Sequence, residues 1–193
     1  MVNIALVGCN GKMGKAVTSA VQSRNDCEIV FGADPFGTPA YDYPVFESLA
    51  VSDKKADVII DFSNPASLDD ILAYALEKKI PCVLCTTGYS PEQVEKIKKA
   101  SESVAVFYSG NMSLGINLLI ELSKEAAKIL GAADFDIEIV EKHHNQKIDA
   151  PSGTALMIAD GISDTLAEEP QYVYDRHSYR KKRSKNEIGS HSV

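Results

Sequence analysis

The chain opens with a short, mostly apolar run, Val2-Asn3-Ile4-Ala5-Leu6-Val7, that passes directly into Gly8-Cys9-Asn10-Gly11-Lys12-Met13-Gly14. This G-x-x-G-x-x-G between a strand-like run and a helical stretch over 12–24 constrains the fold more than any other feature. Glycines allow a tight turn and a close approach of backbone to a pyrophosphate. The helix that follows offers N–H groups and a partial positive charge. Asp34 comes 20 residues after Gly14, at the end of a second strand-like run, Cys27-Glu28-Ile29-Val30-Phe31-Gly32-Ala33. A carboxylate there can accept hydrogen bonds from an adenosine ribose. A glycine pattern alone is also what a purely structural turn looks like; the flanking elements and Asp34 favour a dinucleotide site.

The alternation continues. Further strands are predicted over 58–62, 82–85 and 104–108. Ser67-Leu68-Asp69-Asp70 reads as a capping box for a helix reaching about Lys79. Ser90-Pro91-Glu92-Gln93 supplies a serine cap, a proline at the first helical position and a glutamine three residues after the cap. That helix ends near Ser101. Repeated strand–helix order implies a parallel sheet with helices on both faces. Cys85-Thr86-Thr87-Gly88 and Ser109-Gly110-Asn111-Met112 each follow a predicted strand. Ligands of doubly wound sheets bind beyond the carboxyl ends of strands, so both loops should face a cofactor, although either alone is equally a simple turn.

From Ser113 the texture changes. A longer amphipathic helix is expected over 114–130, stopped at Gly131. A polar–apolar alternation over 136–141 reads as a half-exposed strand, and a helix starts at Ser152 and runs to about Leu166. These expectations divide the chain into a dinucleotide-binding domain, 1–112, and a second domain, 113–193. The basic stretch containing Arg176, Arg180, Lys181, Lys182, Arg183 and Lys185 reads as a solvated loop, with a mobile, anion-attracting flap as the alternative.

Composition excludes several classes of function. The net charge is −7, which supplies no overall basic field for nucleic acid. No stretch reaches the ~18–20 apolar residues needed to span a membrane. The N-terminus lacks the basic region of a signal peptide, so a cytoplasmic protein is expected. Cys82 and Cys85 form a C-x-x-C, but inside an apolar run, where positions three apart point to opposite strand faces. They read as small core residues, and no metal site is expected.

The segment richest in chemistry is Glu141-Lys142-His143-His144-Asn145-Gln146-Lys147-Ile148-Asp149-Ala150-Pro151-Ser152-Gly153-Thr154-Ala155. His143, His144 and Lys147 can hold anionic groups or supply a proton near neutral pH. Ser152 reads as a helix cap, which would leave the amides of Gly153 and Thr154 as a small anion site. By chemistry alone, a carboxylate site and an exposed polar loop with idle histidines stand about level; a metal pair fits less well beside a cationic lysine.

This segment, in the form E-x-H-H-x-x-K-x-D-A-P-S-G-T-A, resembles the signature of the 4-hydroxy-tetrahydrodipicolinate reductase (dihydrodipicolinate reductase) family. The resemblance extends through Asn111-Met112-Ser113-Leu114-Gly115, Cys85-Thr86-Thr87-Gly88, Asp61-Phe62-Ser63 and the glycine loop, and so covers nearly the whole chain. It implies an α/β fold: a Rossmann-like doubly wound parallel sheet plus an α+β domain for substrate binding and oligomerisation. It implies reduction of a cyclic dicarboxylate to tetrahydrodipicolinate by a hydride from NADH or NADPH, in lysine and diaminopimelate biosynthesis. His143 matches the proton donor and Lys147 the second catalytic residue. His144, Gly153 and Thr154 match positions that hold a substrate carboxylate. Gly8, Cys9, Asn10, Gly11, Lys12, Met13, Asp34, Cys85, Thr86, Thr87, Ser109, Gly110, Asn111 and Met112 match cofactor contacts. The implied assembly is a homotetramer joined through the sheet of the second domain.

Two departures stand out. Pro35 occupies the place where some members carry an arginine, leaving Lys12 as a candidate partner for a 2′-phosphate. The family also continues beyond the position of Val193 with a glycine-rich strand, further strands and a last helix. The resemblance therefore implies a second domain incomplete at its C-terminus, with the strand over 137–141 short of neighbours and 176–185 a loose end. Two other readings remain: a catalytically impaired or non-catalytic dinucleotide-binding module of the same fold, and a dehydrogenase acting on another amino-acid-pathway intermediate.

Overall fold

The computed structural model describes residues 1–36, 41–145, 147, 150–178, 180 and 182–193. Two compact units divide the chain, Met1–Gly110 and Asn111–Val193.

In the first unit, six strands form one sheet: β1 (Val2–Val7), β2 (Cys27–Ala33), β3 (Val45–Phe46), β4 (Val58–Asp61), β5 (Cys82–Leu84) and β6 (Val106–Tyr108). Their order is β3-β2-β1-β4-β5-β6, and every pair is parallel. Helices α1 (Lys12–Gln22), α2 (Leu68–Lys78) and α3 (Pro91–Ser101) connect them. β1 shows why both faces must be covered. Its Ile4 and Leu6 pack with Val17 and Val21 of α1, whereas Ala5 and Val7 join Leu68, Ile71 and Leu72 of α2 and Ile97 of α3. Near-continuous apolar strands buried on two faces are the mark of a parallel sheet. Connections run outward from β1 on one side and from β4 on the other, so the winding reverses between these two central strands. A crevice opens at the carboxyl ends of strands where the order reverses.

The cap at Ser90 is as the sequence predicts: its hydroxyl accepts from Gln93 N, and the Gln93 side chain accepts from Ser90 N. The cap expected at Ser67 is not. Ser67 is already helical and caps nothing; Asn64 accepts from Ala66 N and starts a short 3-10 turn, Pro65–Ser67, that runs into α2. The serine is overtaken because an asparagine just before a proline opens the turn one step earlier.

In the second unit, helices α4 (Leu114–Ala132) and α5 (Gly153–Ser163) pack on a three-stranded sheet of β7 (Ile137–Glu141), β8 (Gln171–Val173) and β9 (Glu187–Ser192). The order is β7-β9-β8, again all parallel. Ile188 is buried with Ala127, Ala159 and Ile162, and Ile137 and Ile139 pack against them. α4 does not stop at Gly131, which lies within it. The left-handed residue is Asp134, with φ 66°, and Phe135 N donates back to Leu130 O at 3.1 Å. Among the described residues, no helix is long and apolar enough to cross a membrane.

The C-terminal stretch is more ordered than the sequence suggests. β7 is an edge strand, short of a neighbour on one side, but it is not unpaired: β9, which the sequence reading does not contain, runs beside it from Ile137↔Ile188 to Glu141↔Ser192. Nor is the basic stretch wholly loose. The Arg176 guanidinium bridges Glu138 at 2.9 Å and Glu187 at 2.8 Å, Arg183 reaches Glu138 at 3.1 Å, and Lys185 bonds Asp134 O at 3.1 Å. Glu138 of β7, Glu187 of β9 and the turn at Asp134 supply the partners, which a charge count along the chain does not reveal. Lys181 lies outside the described residues.

Backbone closeness around the first turn makes a test of the fold. A Cβ at Gly14 would lie 2.3 Å from the Gly8 carbonyl oxygen and 2.5 Å from the Cys9 Cα, whereas one at Gly153 would meet nothing within 4 Å. Gly14→Ala should cost about 1–3 kcal/mol of stability, and Gly153→Ala, at the open start of α5, should be neutral or mildly stabilising. Urea denaturation of both variants checks the contrast.

Candidate functional site

The reversal between β1 and β4 is marked by a cavity of about 570 Å³, lined among others by Gly8, Gly11, Asp34, Phe36, Ser63 and Asn64. Gly8 has φ +75°, and a Cβ there would lie 2.6 Å from the Phe62 carbonyl oxygen. Only glycine fits that turn. Gly11 is the N-terminal cap of α1 in extended conformation, and no side chain caps the helix. A close-packed glycine cradle feeding an uncapped helix start fits a pyrophosphate.

Asp34 closes the other side. Its Oδ2 accepts from Asn10 N at 3.0 Å and its Oδ1 from Phe36 N at 2.9 Å. These bonds tie the end of β2 to the glycine loop. Asn10 Nδ2 in turn donates to Phe36 O, and the Tyr41 hydroxyl donates to Cys9 O at 2.9 Å. Phe36 is 76% exposed at the rim. Lys12 and Met13 are exposed on the first turn of α1. Cys9 behaves differently from its neighbours. It is fully buried against Ile4, Leu6 and Ile29, and burial, reinforced by Asp34, pushes its thiol up to about 11. Its backbone belongs to the loop; its side chain belongs to the core.

The second set of candidates lies further along the same sheet edge. Cys85 N donates to Asp61 O at 2.9 Å and Ser109 N to Leu84 O at 3.1 Å, which places both loops at the carboxyl ends of their strands. Cys85 and Thr86 are buried, while Thr87 and Gly110 are exposed and Ser109 is half-buried. Burial, then the charge of Asp61, pushes the thiols of Cys82 and Cys85 up to about 11. Asn111 and Met112 begin the second unit, where Asn111 Oδ1 accepts from Ser113 N at 2.9 Å.

Asp61 was not among the sequence candidates, yet it is fully buried at the end of β4. Its Oδ1 accepts from both the amide and the hydroxyl of Ser63, at 2.9 and 2.5 Å, and its Oδ2 accepts from the Tyr89 hydroxyl at 3.1 Å. Burial and the neighbouring carboxylate push the Tyr89 phenol upward. The sequence signal was a single acidic residue ending an otherwise apolar strand.

In the second unit, the loop after β7 carries His143, His144 and Lys147, and Ser152 caps α5 by accepting from Ala155 N at 3.1 Å. His144 and Lys147 are linked by Lys147 N donating to His144 O at 3.2 Å. Gly153 is exposed and Thr154 half-buried at the helix start. Gln146, Ile148 and Asp149 lie outside the described residues. The centre of this cluster is Glu141. Its Oε1 accepts from Ser152 N at 2.7 Å and from the Ser192 hydroxyl at 2.5 Å. Its Oε2 pairs with His143 Nε2 at 2.9 Å and accepts from the Ser152 hydroxyl. Sequence reasoning quoted Glu141 only as part of the motif. Its position in the series Ile137, Ile139, Glu141, on the face that packs against the helices, is the signal that would have found it. Among the described residues, no group of three or more His, Cys, Asp or Glu side chains is gathered as metal ligands.

Comparisons with known proteins converge. Residues 2–112 match the family described as "Dihydrodipicolinate reductase, N-terminus", and residues 115–193 match "Dihydrodipicolinate reductase, C-terminus". The chain is 51% identical over 193 residues to the 4-hydroxy-tetrahydrodipicolinate reductase of Clostridium tetani, covering all of this chain and 75% of that protein. It is 49% identical over the same length to that of Caldanaerobacter subterraneus subsp. tengcongensis, covering 76% of it. Among solved structures, a dipicolinate-bound dihydrodipicolinate reductase from Paenisporosarcina sp. TG-14 superposes with a TM-score of 0.74 at 26% identity, over 100% of this chain and 79% of that one. With the glycine cradle, Asp34 and the His-His-x-x-Lys loop in place, the chain belongs to the dihydrodipicolinate reductase family, the nicotinamide-dependent oxidoreductases of lysine and diaminopimelate biosynthesis.

Proposed function

We propose that the 570 Å³ crevice of the first unit holds the dinucleotide, with NADH bound at least as well as NADPH, and that the loop after β7 handles the proton and the substrate carboxylates. The observation that carries this reading is the meeting of Gly8, Gly11 and Asp34 in one cavity at the reversal of the sheet. Replacing a hydroxyl by hydrogen, as the conversion of 4-hydroxy-tetrahydrodipicolinate to tetrahydrodipicolinate requires, consumes one hydride and one proton and releases water. Reduced nicotinamide, when bound, supplies the hydride.

The residues of the chain do the rest. Gly8, Gly11 and the start of α1 cradle the pyrophosphate through backbone N–H groups. Asp34, already fixed by the amides of Asn10 and Phe36, keeps lone pairs for the ribose diol. The loops at Cys85–Thr87 and Ser109–Met112 flank the cofactor. His143 delivers the proton, and Lys147 steadies negative charge on the substrate. His144 and the amides of Gly153 and Thr154 hold a carboxylate at the N-terminus of α5. The dipicolinate on the Paenisporosarcina reductase is a dicarboxylate of the kind such a site would take. The assembly we propose is a homotetramer joined through the second sheet, whose open face carries Val140, 70% exposed. Sedimentation equilibrium checks this, and a single-protomer mass at micromolar concentration would count against it.

Cofactor choice follows from charge. The Asp34 carboxylate suits a ribose diol and repels a 2′-phosphate, Pro35 offers no counter-charge, and exposed Lys12 keeps NADPH bindable. Calorimetric titration should give NADH a dissociation constant no higher than that of NADPH, and Asp34→Asn should shift the ratio toward NADPH. A strong NADPH preference of the unaltered protein would overturn the assignment.

His143→Ala and Lys147→Ala should each lower kcat by roughly 10²–10⁴-fold, the usual contribution of a positioned acid or base. Lys147→Ala, in a loop, should change stability by under about 1 kcal/mol, and His143→Ala should cost about 1–3 kcal/mol because it takes a donor from the Glu141 carboxylate. Steady-state kinetics with thermal denaturation reads both quantities. Retained dinucleotide binding without any turnover by the unaltered chain would favour the non-catalytic module instead.

A further inference from the structure

Glu141 ends the helix-facing side of β7, where Ile137 and Ile139 precede it. A carboxylate in that position needs donors, and it finds them on three separate segments: the loop at His143, the start of α5 at Ser152, and the end of β9 at Ser192. Only 12% of its side chain is exposed. Burial opposes its ionisation, but the bonds from Ser152, Ser192 and His143 outweigh burial and hold the carboxyl down at about 2. The group is therefore ionised at any working pH and can only accept. Its four lone-pair sites are matched by four donors, two from Ser152 and one each from Ser192 and His143.

An acceptor at 2.9 Å leaves one option for the imidazole: Nε2 must carry a hydrogen in both protonation states of the ring. The atom that gains and loses a proton is then Nδ1. The same carboxylate clamps Ser152, and through it the first turn of α5 with Gly153 and Thr154.

We propose that Glu141 is a positioning residue of the reductase site: it locks the His143 ring so that Nδ1 exchanges the proton, and it ties that ring to the helix start that holds the substrate carboxylate. This rests on the reading of His143 as proton donor. A merely structural Glu141 would need only the serines; its bond to the histidine couples the strand to the chemistry.

The test is a double-mutant cycle in kcat on the active protein. Glutamine keeps the shape of Glu141 but replaces one acceptor oxygen with a donor. If Glu141 acts through His143, Glu141→Gln should lower kcat by about 10²-fold when His143 is present, the usual result of a misplaced group. In a His143→Ala background the same change should lower kcat by no more than about tenfold, because the ring is gone and only the clamp on Ser152 is left to lose. Nitrogen-15 spectra of the histidines should show a slowly exchanging His143 Nε2–H in the unaltered protein and its loss in Glu141→Gln. If Glu141→Gln does not fold, Glu141→Asp, which keeps the charge but withdraws it by one methylene, carries the same cycle. Equal losses in both backgrounds, or an unchanged Nε2–H signal, overturn the role of Glu141 and leave His143 standing. Full turnover by His143→Ala alone overturns the reading of His143 itself.

Discussion

Two stretches of backbone approach one another at the carboxyl end of β1 more closely than any side chain would permit, and the first unit is arranged around that approach. Gly8 turns beneath the Phe62 carbonyl, and Gly14 presses its Cα side against Gly8 and Cys9. The turn brings β1, β4 and α1 together at one point. Because both faces of the parallel sheet are covered by helices, the central strands reach solvent only at their ends. Chemistry on this scaffold is therefore confined to strand ends, and the reversal of winding opens the crevice between them. Asp34 is held there by two backbone amides before any ligand arrives. Its carboxylate is ordered in advance, which lowers the cost of binding any group that it accepts from.

The second unit depends on a different constraint. An ionised carboxylate on the inward side of a strand is tolerable only when well hydrogen-bonded. Glu141 meets that condition by drawing in the loop that follows it, the start of α5 and, from 51 residues away, the end of β9. The arrangement that satisfies the charge also orders His143 and Ser152 in advance. Preorganised donors and acceptors of this kind are the principal way that a protein site lowers a barrier in which charge moves. The first unit thus depends on the absence of side chains, and the second on one that cannot be left unpaired.

Much of this was legible along the chain because it is local. The apolar runs became β1 and β2 at the residues read for them, since a short buried strand depends on its own six or seven side chains. The cap at Ser90 and the start of α5 at Ser152 followed from groups three residues apart. Other features failed the same treatment. Ser67 looked like a cap but lost to Asn64, because the choice depends on how the chain leaves β4. Cys9 sits in the middle of a cofactor motif yet turns its thiol into the core, toward Gly32. Arg176 belongs to a basic run but is spoken for by Glu138 and Glu187.

The sequence by itself determined the alternation of β1, β2, β4, β5 and β6 with α1, α2 and α3, the glycine turn, the acid that follows β2 and the donor-rich loop after β7, because each is written in residues that act on their immediate neighbours. The tertiary structure alone decided that β9 enters between β7 and β8, that a buried Asp61 and a half-buried Glu141 each form the hub of a cluster, and which nitrogen of His143 is engaged. Those outcomes require knowing which residues from opposite ends of the chain meet. Burial and hydrogen-bond satisfaction are properties of that meeting, and no periodicity along the chain encodes them.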